Sequence, residues 1–335
     1  MNSRHSPMRR RALGAMAALT GSTVLVGLSG AQAQERYPLK RPVSLVCPWA
    51  PGGIADTTAR RLAQALSTLW GQQVVVENKT GANGNIGAAG VARAVPDGYT
   101  LMLTLHDGMV IGKAAGFQMG FDPTTDLTAI AQIGISDIYW TVKGDTPYRS
   151  IQDFVTHARA NPGKMSFGSN GIGSSPHLAM ELLNHAAGIN LTHVPFRGGA
   201  QAVPEVLAGR LDALMATPAL ALSHFQAGTL KPIALVGTQR SQLYPNIATI
   251  AESGYPDVSI SIGVGVFGPR GMPRALVEQI NEDVRKVVNA QEMKARFVSE
   301  GFPPSNLSAA EYEAAIAREV ARMEPLVRRV NFRQA

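Results

Sequence analysis

Short β-rich segments alternate with helical patterns along most of this chain, and this alternation limits the folds open to it. A strand is predicted at Val43–Cys47, and the apolar residues from Ala59 to Leu69 that follow it recur at helical spacing. Parallel strands need crossover connections, which helices usually supply. The pattern therefore predicts an α/β fold with mostly parallel sheets flanked by helices. Further strands are predicted at 73–77, 99–105, 165–169, 191–194, 212–216 and 231–236, and further helices at 85–95, 174–187, 200–208 and 219–227.

The length of 335 residues suggests two domains. The sequence has no long linker, so we expect strands to cross between the domains, at 132–140 and 260–267. Helical spacing returns after Pro273, and Ser308 and Glu311 form a capping box that begins a last helix. The predicted division is a leading segment at 1–33, a first domain at 34–136 plus 262–335, and a second domain at 137–261.

Residues 1–33 have the pattern of a cleaved export signal. Four arginines and no acidic residue stand in the first eleven positions, the stretch to Gly30 is uncharged, and Ala31-Gln32-Ala33 is a small-x-small cleavage site. The rival interpretation is a membrane anchor, but glycines and serines dilute the hydrophobicity of the uncharged stretch. We expect a periplasmic protein. The Arg9-Arg10-Arg11 cluster leaves Sec and twin-arginine export both open.

Removal of that segment lowers the net charge. The whole sequence carries 31 basic and 24 acidic residues; the segment holds four of the basic ones, so 27 remain against 24, a net charge of +3. This balance leaves no basic stripe and disfavours nucleic-acid binding. The single cysteine, Cys47, cannot form an internal disulfide, and its place in a β-rich run predicts a small buried side chain.

The sequence shows no pattern typical of a metal centre, a cofactor site or a catalytic carboxylate pair. The histidines lack metal-ligand spacing, and one cysteine offers no thiolate pair. We therefore expect no metal, no cofactor and no catalytic residue. A secreted α/β hydrolase that uses Ser174 and His177 stays open as an alternative, although the surrounding residues do not match a nucleophile elbow. In the first turn of an apolar helix, His177 is more typical of a packing residue.

Three glycine-rich turns each connect a predicted strand to a predicted helix. They lie at 48–56, 81–87 and 168–177. Glycine lets the backbone approach a ligand, and a helix start presents unpaired N–H groups with partial positive charge. Such a turn binds an anion without arginine or lysine. The first and third turns are candidate anion sites, although a plain turn capped by Asp56 stays equally open for the first. Packing glycines are the simpler interpretation of the second.

The order of these motifs resembles the substrate-binding proteins of tripartite tricarboxylate transporters, also called Bug receptors. In the first half they are Pro51-Gly52-Gly53, Gly81-Ala82-Asn83-Gly84 and Pro96-Asp97-Gly98-Tyr99. In the second half they are Gly168-Ser169-Asn170-Gly171 and His193-Val194-Pro195-Phe196-Arg197-Gly198. Each motif is weak alone, but their order and spacing cover essentially all of the mature chain and are specific together.

The resemblance implies a type II-like, two-domain periplasmic binding protein that closes by hinge motion on a ligand in the cleft between its domains. It implies a receptor, not an enzyme, for a small carboxylate held by main-chain amides and ordered water. Membrane transporter subunits or a sensor kinase are the implied partners, and a monomer is the default. Carried over to this sequence, the ligand-binding residues are Trp49, Ala50, Gly52, Gly53, Ile54, Asp56, Gly84, Asn85, Thr104, His106, Ser169, Gly171, Gly173, Ser174, Arg197 and Thr217.

Three positions depart from the family pattern. Trp49 stands where a phenylalanine or a smaller apolar residue is expected, Ile54 replaces a small or hydroxylated residue, and Phe196-Arg197 replaces Tyr-Lys. These changes make the mouth of the cleft bulkier and more apolar. We therefore expect a monocarboxylate with an apolar or aromatic body rather than a tricarboxylate. Arg197 either pairs with a second ligand carboxylate or is solvated at the rim.

Overall fold

The computed structural model describes residues 37–38, 41–196, 198–237 and 239–330. The predicted export signal and Arg197 lie outside these residues. No helix in the described ranges is long and apolar enough to cross a membrane. The strands are β1 (Val43–Cys47), β2 (Val74–Asn78), β3 (Thr100–Leu105), β4 (Leu127–Ser136), β5 (Tyr139–Lys143), β6 (Ser166–Ser169), β7 (Thr192–Pro195), β8 (Ala213–Ala216), β9 (Leu230–Leu235) and β10 (Ile262–Pro269). The helices are α1 (Ile54–Trp70), α2 (Asn85–Ala92), α3 (Asp107–Ala114), α4 (Ile151–Ala160), α5 (Ser175–Ala187), α6 (Gly199–Leu207), α7 (Pro218–Gln226), α8 (Arg274–Val288), α9 (Gln291–Ser299) and α10 (Ala309–Arg329).

The described strands form two sheets. The first has the order β2-β1-β3-β10-β4, and the second has the order β7-β6-β8-β5-β9. Among the described strands, β10 is the one strand of the first sheet that is antiparallel to the others, and β5 is the one of the second. The prediction of an α/β fold with mostly parallel sheets flanked by helices is therefore confirmed.

The two reversed strands follow the crossings between the sheets. β4 ends at Ser136 in the first sheet, and β5 begins at Tyr139 in the second. The chain returns to the first sheet at Ile262, where β10 begins. The first crossing falls inside the predicted segment at 132–140. The second runs from the end of β9 at Leu235 to Ile262, so only its end lies in the predicted segment at 260–267. The limits of the two domains along the chain stay a prediction.

Local signals account for the long helices. The apolar stripe of α1 is buried, and the helix ends at Gly71, whose φ of 63° suits glycine. At the start of α10 the predicted capping box is present: the Glu311 N–H donates to Ser308 Oγ at 3.3 Å, and the Ser308 N–H donates to the Glu311 carboxylate at 2.8 Å. Cys47 is fully buried in β1, as predicted.

Two glycines of β10 leave room for side chains from distant parts of the chain. A Cβ on Gly263 would lie 1.9 Å from the His106 ring, and a Cβ on Gly265 would lie 1.9 Å from the Tyr312 hydroxyl. That hydroxyl and His106 Nδ1 are hydrogen-bonded at 2.8 Å. The pair thus joins the end of β3 to α10 across the surface of β10.

We expect Gly263→Ala to destabilise the protein by about 3 kcal/mol, because a methyl group forces the buried His106 ring out of its site. Urea unfolding followed by circular dichroism measures the effect. Gly90→Ala is the control: Gly90 is exposed on α2 with open space around it, so this change should be neutral or slightly stabilising. Equal stability of the two variants would contradict the close packing of His106 on β10.

Candidate functional site

Helix N-termini gather at one edge of each sheet. In the first sheet β1, β2 and β3 are parallel, and α1, α2 and α3 begin after their carboxyl ends. In the second sheet β6, β7 and β8 are parallel, and α5, α6 and α7 begin after theirs. The first N–H groups of a helix have no partner within it and carry partial positive charge. Both edges are therefore suited to anions, and the predicted ligand-binding residues that the structure describes lie along them.

Internal hydrogen bonds hold the first glycine-rich turn, between β1 and α1. The Asp56 carboxylate accepts hydrogen bonds from Gly52 N–H at 3.0 Å, Asn78 Nδ2 at 2.8 Å and Arg60 Nε at 3.1 Å. Asn78 Nδ2 also donates to the Trp49 carbonyl at 3.0 Å. Burial alone would raise the pKa of Asp56, but the bonds from Arg60, Gly52 and Asn78 lower it below its usual value. The carboxylate thus fixes the turn, while Gly52 and Gly53 stay exposed.

Trp49 connects this turn to two neighbouring elements. Its indole Nε1–H donates to Thr104 Oγ1 at 3.0 Å, at the end of β3. Its ring also lies 3.5 Å from the position of a Cβ on Gly84, whose φ is 85°. A side chain at Gly84 is therefore strained by the backbone conformation, and its Cβ would be in van der Waals contact with the indole. Next to Gly84, Asn85 begins α2, and its Oδ1 is buried without a hydrogen-bond partner in the described ranges.

The turn between β6 and α5 is also held by its own groups. The Ser174 hydroxyl donates to the Gly171 carbonyl at 2.7 Å, and the Gly171 N–H donates to Ser169 Oγ at 3.0 Å. Gly171 and Gly173 have φ of 113° and 84°, which favour glycine. Ser174 is the N-cap of α5 and uses its hydroxyl inside the turn rather than on the helix amides.

The histidines of this region do not form the Ser174–His177 pair that the hydrolase alternative requires. His177 Nδ1 accepts a hydrogen bond from Gly173 N–H at 3.3 Å, while the Ser174 hydroxyl is directed to Gly171. Ser169 Oγ lies instead 2.5 Å from His193 Nε2, and the His177 and His193 rings stack at 4.0 Å. Burial and the neighbouring His193 lower the pKa of His177 to about 3, so it is neutral at pH 7. His177 is fully buried and packs as the sequence predicts.

His106 is predicted to bind the ligand, but its ring is directed toward α10. It precedes α3 at the end of β3, but its ring is packed against Gly263 and the Tyr312 hydroxyl. Burial lowers the pKa of His106 to about 4. These contacts direct the ring toward α10, because the glycine in β10 leaves a gap that the ring fills. Its burial is thus explained by packing.

One acidic residue that the sequence pattern does not single out joins the two edges. Asp107 is the first residue of α3, and its Oδ2 accepts a hydrogen bond from the Ser175 hydroxyl at the start of α5. Its Oδ1 is buried and has no hydrogen-bond partner in the part of the chain that the structure describes. Burial raises the pKa of Asp107 to about 6. Nearby, the Phe117 ring packs against Gly173, and a Cβ on Gly173 would lie 2.8 Å from the ring.

These contacts join the third turn to the start of α3, and Trp49 joins the first turn to the end of β3, which α3 follows. The signal that would have found Asp107 is its place: it follows the third parallel strand at the same sheet edge as the first two turns. Of the other predicted residues, Thr217 is buried as the N-cap of α7, Ala50 is exposed, and Ile54 is half-buried. No group of three or more histidine, cysteine or acidic side chains in the described ranges is placed to hold a metal ion.

Two α/β sheets joined by a double crossing, each with one reversed strand and with helix N-termini at one edge, form the architecture of a periplasmic binding protein, a class of solute receptors. The family model of the tripartite tricarboxylate transporter family receptor matches residues 58–332, and the chain belongs to this family. The resemblance in the sequence is thereby confirmed.

The chain is 34% identical, over 85% of its length and 83% of the relative, to a protein of Pseudomonas sp. strain P51 described as a UPF0065 protein in the tcbD-tcbE intergenic region. Among solved structures it resembles Rpa4515 of R. palustris with adipate, at TM-score 0.81 and 29% identity over 88% of this chain and 98% of the other. It also resembles MatC of Rhodopseudomonas palustris with bound malate, at TM-score 0.78 and 25% identity over 86% and 99%.

Proposed function

We propose that this receptor binds a small carboxylate between the turn at 48–56 and the turn at 168–177. The observations that support the proposal are that hydrogen bonds hold both turns, that each turn begins a helix at the carboxyl edge of its own sheet, and that Asp107 and Ser175 join the two edges. A preorganised helix start stabilises an anion at no cost in loop ordering. The adipate in one similar structure and the malate bound in another support this ligand class.

The proposed roles of the predicted residues differ. Gly53 and Ile54 offer main-chain N–H groups to the anion. The N–H groups of Gly173 and Ser174 donate within the third turn, to His177 Nδ1 and to the Gly171 carbonyl, so these two residues are proposed to shape that turn around the ligand. Asp56 acts as a positioning residue, because its carboxylate already accepts hydrogen bonds from Gly52 in the turn, Arg60 on α1 and Asn78 at the end of β2. We do not carry His106 into the contact set, because its ring is directed toward α10.

The body of the ligand is proposed to be apolar or aromatic. The Trp49 indole is held in place by Thr104 and stands beside the first turn. The Ile172 side chain, in the third turn, is 51% exposed, which supports an apolar wall on the other side. A body with several carboxylates would meet these apolar surfaces and the Asp107 carboxyl, so a monocarboxylate is the better match.

The proposal also covers closure of the receptor on its ligand, export of the chain and delivery of the ligand. A ligand that contacts both turns favours the closed arrangement by its differential affinity for it. We propose that the chain is exported by a cleaved signal, acts as a monomer in the periplasm and passes its ligand to transporter membrane subunits or to a sensor kinase. Membership in a transporter receptor family supports this role.

A thermal-shift screen of mono-, di- and tricarboxylates tests the proposal. We expect benzoate or hexanoate to raise the melting temperature, because a ligand at a hundred times its Kd stabilises the native state by about 2.7 kcal/mol. Benzamide and hexanol are the uncharged controls and should have no effect. Stabilisation by the controls as well would contradict an anion site. Time-dependent loss of a stabilising carboxylate or of its ester in NMR spectra would favour the hydrolase alternative.

A further inference from the structure

A cavity of about 410 Å³ lies beside the crossing between the sheets. Its wall includes Ile135 from β4, Leu235 from β9 and Pro303 from the segment after α9, and none of the predicted ligand-binding residues that the structure describes. In each sheet the reversed strand separates the two regions: β10 lies between β3 and β4, and β5 lies between β8 and β9. The cavity is therefore a separate space, on the other side of the crossing strands from the proposed carboxylate site.

The charge in the cavity wall is negative. Asp137 lies in the first crossing and lines the cavity, and its Oδ2 accepts hydrogen bonds from Tyr139 at 3.1 Å and from the Ser241 hydroxyl. Arg240 also lines the cavity, but its Nε lies 3.0 Å from each oxygen of the Glu252 carboxylate. The Arg240 charge is thus balanced outside the cavity, and the Asp137 charge faces into it.

The environment of Asp137 favours a cationic neighbour. Burial raises the pKa of Asp137 above its usual value, although both hydroxyl bonds oppose the shift. Both hydroxyls donate to Oδ2, so a further donor would meet Oδ1 without displacing either of them. A cation beside a partly desolvated carboxylate forms a charge-assisted hydrogen bond, which is stronger than one between neutral groups.

Apolar surface makes up much of the remaining wall. Ile135 is 45% exposed and Val298 is 36% exposed, and both line the cavity together with Leu243 and Pro303. Large apolar side chains that stay exposed around a concave space are typical of ligand sites. The volume also falls in the range of about 300–1,000 Å³ that is usual for small-molecule sites.

We propose that this cavity is a second ligand site, which binds a small primary amine with an apolar body. The ammonium group donates to Asp137, and the body packs against Ile135, Val298 and Leu243. An anion is disfavoured here because it would approach the Asp137 carboxylate while Arg240 stays paired with Glu252. This site would select a cation, whereas the carboxylate site would select an anion.

Isothermal titration calorimetry with benzylamine tests the proposal on the purified receptor, with benzyl alcohol as the uncharged analogue. We expect benzylamine to bind one site and benzyl alcohol to bind at least tenfold more weakly. Asp137→Asn keeps the shape of the side chain but removes its charge, and should weaken benzylamine at least tenfold. Val298→Arg changes an exposed wall residue, places a cation at the cavity and should abolish binding.

Asp145→Asn is the matched control, because Asp145 is exposed and pairs with Lys143 away from the cavity. It should bind benzylamine as the unaltered protein does. Gly53→Val should also retain benzylamine binding, so loss of the carboxylate site and loss of the amine site are distinguishable. Absence of benzylamine binding, equal binding of benzyl alcohol, or unchanged affinity in both Asp137→Asn and Val298→Arg would overturn the proposal.

Discussion

Replacement of Gly53 by valine is expected to lower the affinity for the carboxylate ligand at least a hundredfold and to leave the fold intact. Gly53 is the N-cap of α1 with φ −80° and ψ 173°, an extended conformation that valine adopts readily. The nearest atom to an added Cβ is the Ala50 carbonyl oxygen at 3.9 Å. The isopropyl group would therefore fit, but it would cover the first N–H groups of α1 where the anion is proposed to lie. A hundredfold loss corresponds to about 2.7 kcal/mol.

Calorimetry with the carboxylate selected in the thermal-shift screen measures this loss, and circular dichroism checks the fold. Gly90→Val is the matched control, because Gly90 is exposed on α2 and has no neighbouring atom within 4 Å of its Cβ position. This variant should bind as the unaltered protein does. If Gly53→Val also binds with unaltered affinity, the anion does not lie at the start of α1 and the site assignment fails.

Asp107→Asn is expected to strengthen carboxylate binding about tenfold at pH 8 and to change it little at pH 5. Asp107 places its carboxyl at the start of α5, where it competes with an external anion for the same positive end of the helix. Its pKa of about 6 means that the carboxyl is mostly charged at pH 8 and mostly neutral at pH 5. Removal of the negative charge near the bound anion therefore strengthens carboxylate binding only above that pKa. Affinity measured across this pH range tests the effect.

The same substitution should alter stability in a defined direction. Because folding raises the pKa of Asp107, the protonated carboxyl contributes stability that is fully present below about pH 4 and is lost as the pH rises through about 6. Asp107→Asn removes this loss of stability, so the variant should gain about 3 kcal/mol relative to the unaltered protein between pH 4 and pH 8. Ser175→Ala, which keeps the charge but removes its hydroxyl partner, should not show that gain. A stability difference independent of pH would contradict titration of Asp107.

Much of the sheet architecture follows from local sequence signals. β1 and α1 are predicted because a β-rich run, a glycine-rich turn and a helical apolar stripe follow one another directly, and each is formed by near neighbours in the chain. The same holds for β6 and α5. Once the strands of each sheet are known to be parallel, their carboxyl ends meet at one edge of that sheet. The first turn is then placed at this edge of the first sheet, and the third turn at this edge of the second, without knowledge of packing.

Other features depend on contacts between distant residues and leave no local signal. The pattern does not predict α3, because the helix is short and contains Gly108 and Gly112, which have low helix propensity. Packing stabilises it instead: Gly112 leaves space for the Met119 sulfur, 2.6 Å from the position of its Cβ. The predicted helix at 85–95 is shorter in the structure and ends at Ala92.

The position of His106 shows the same limit. Its partner Tyr312 lies 206 residues further along the chain, so the sequence places His106 correctly after β3 but gives no information on the direction of its ring. Asp107 is missed for a related reason. Its role in joining the two sheet edges depends on a hydrogen bond from Ser175, which is 68 residues away and lies at the edge of the other sheet.

The double crossing has a mechanical consequence. β4 and β10 stay paired up to the point where the chain leaves the first sheet, since Ser136 is opposite Ile262. Two adjacent tethers of this kind would allow the two halves to bend about one line but would resist sliding and separation of the halves. The domain motion that we propose would then be described by a single angle. A partner in the membrane would need to sense only that angle to distinguish a loaded receptor from an empty one.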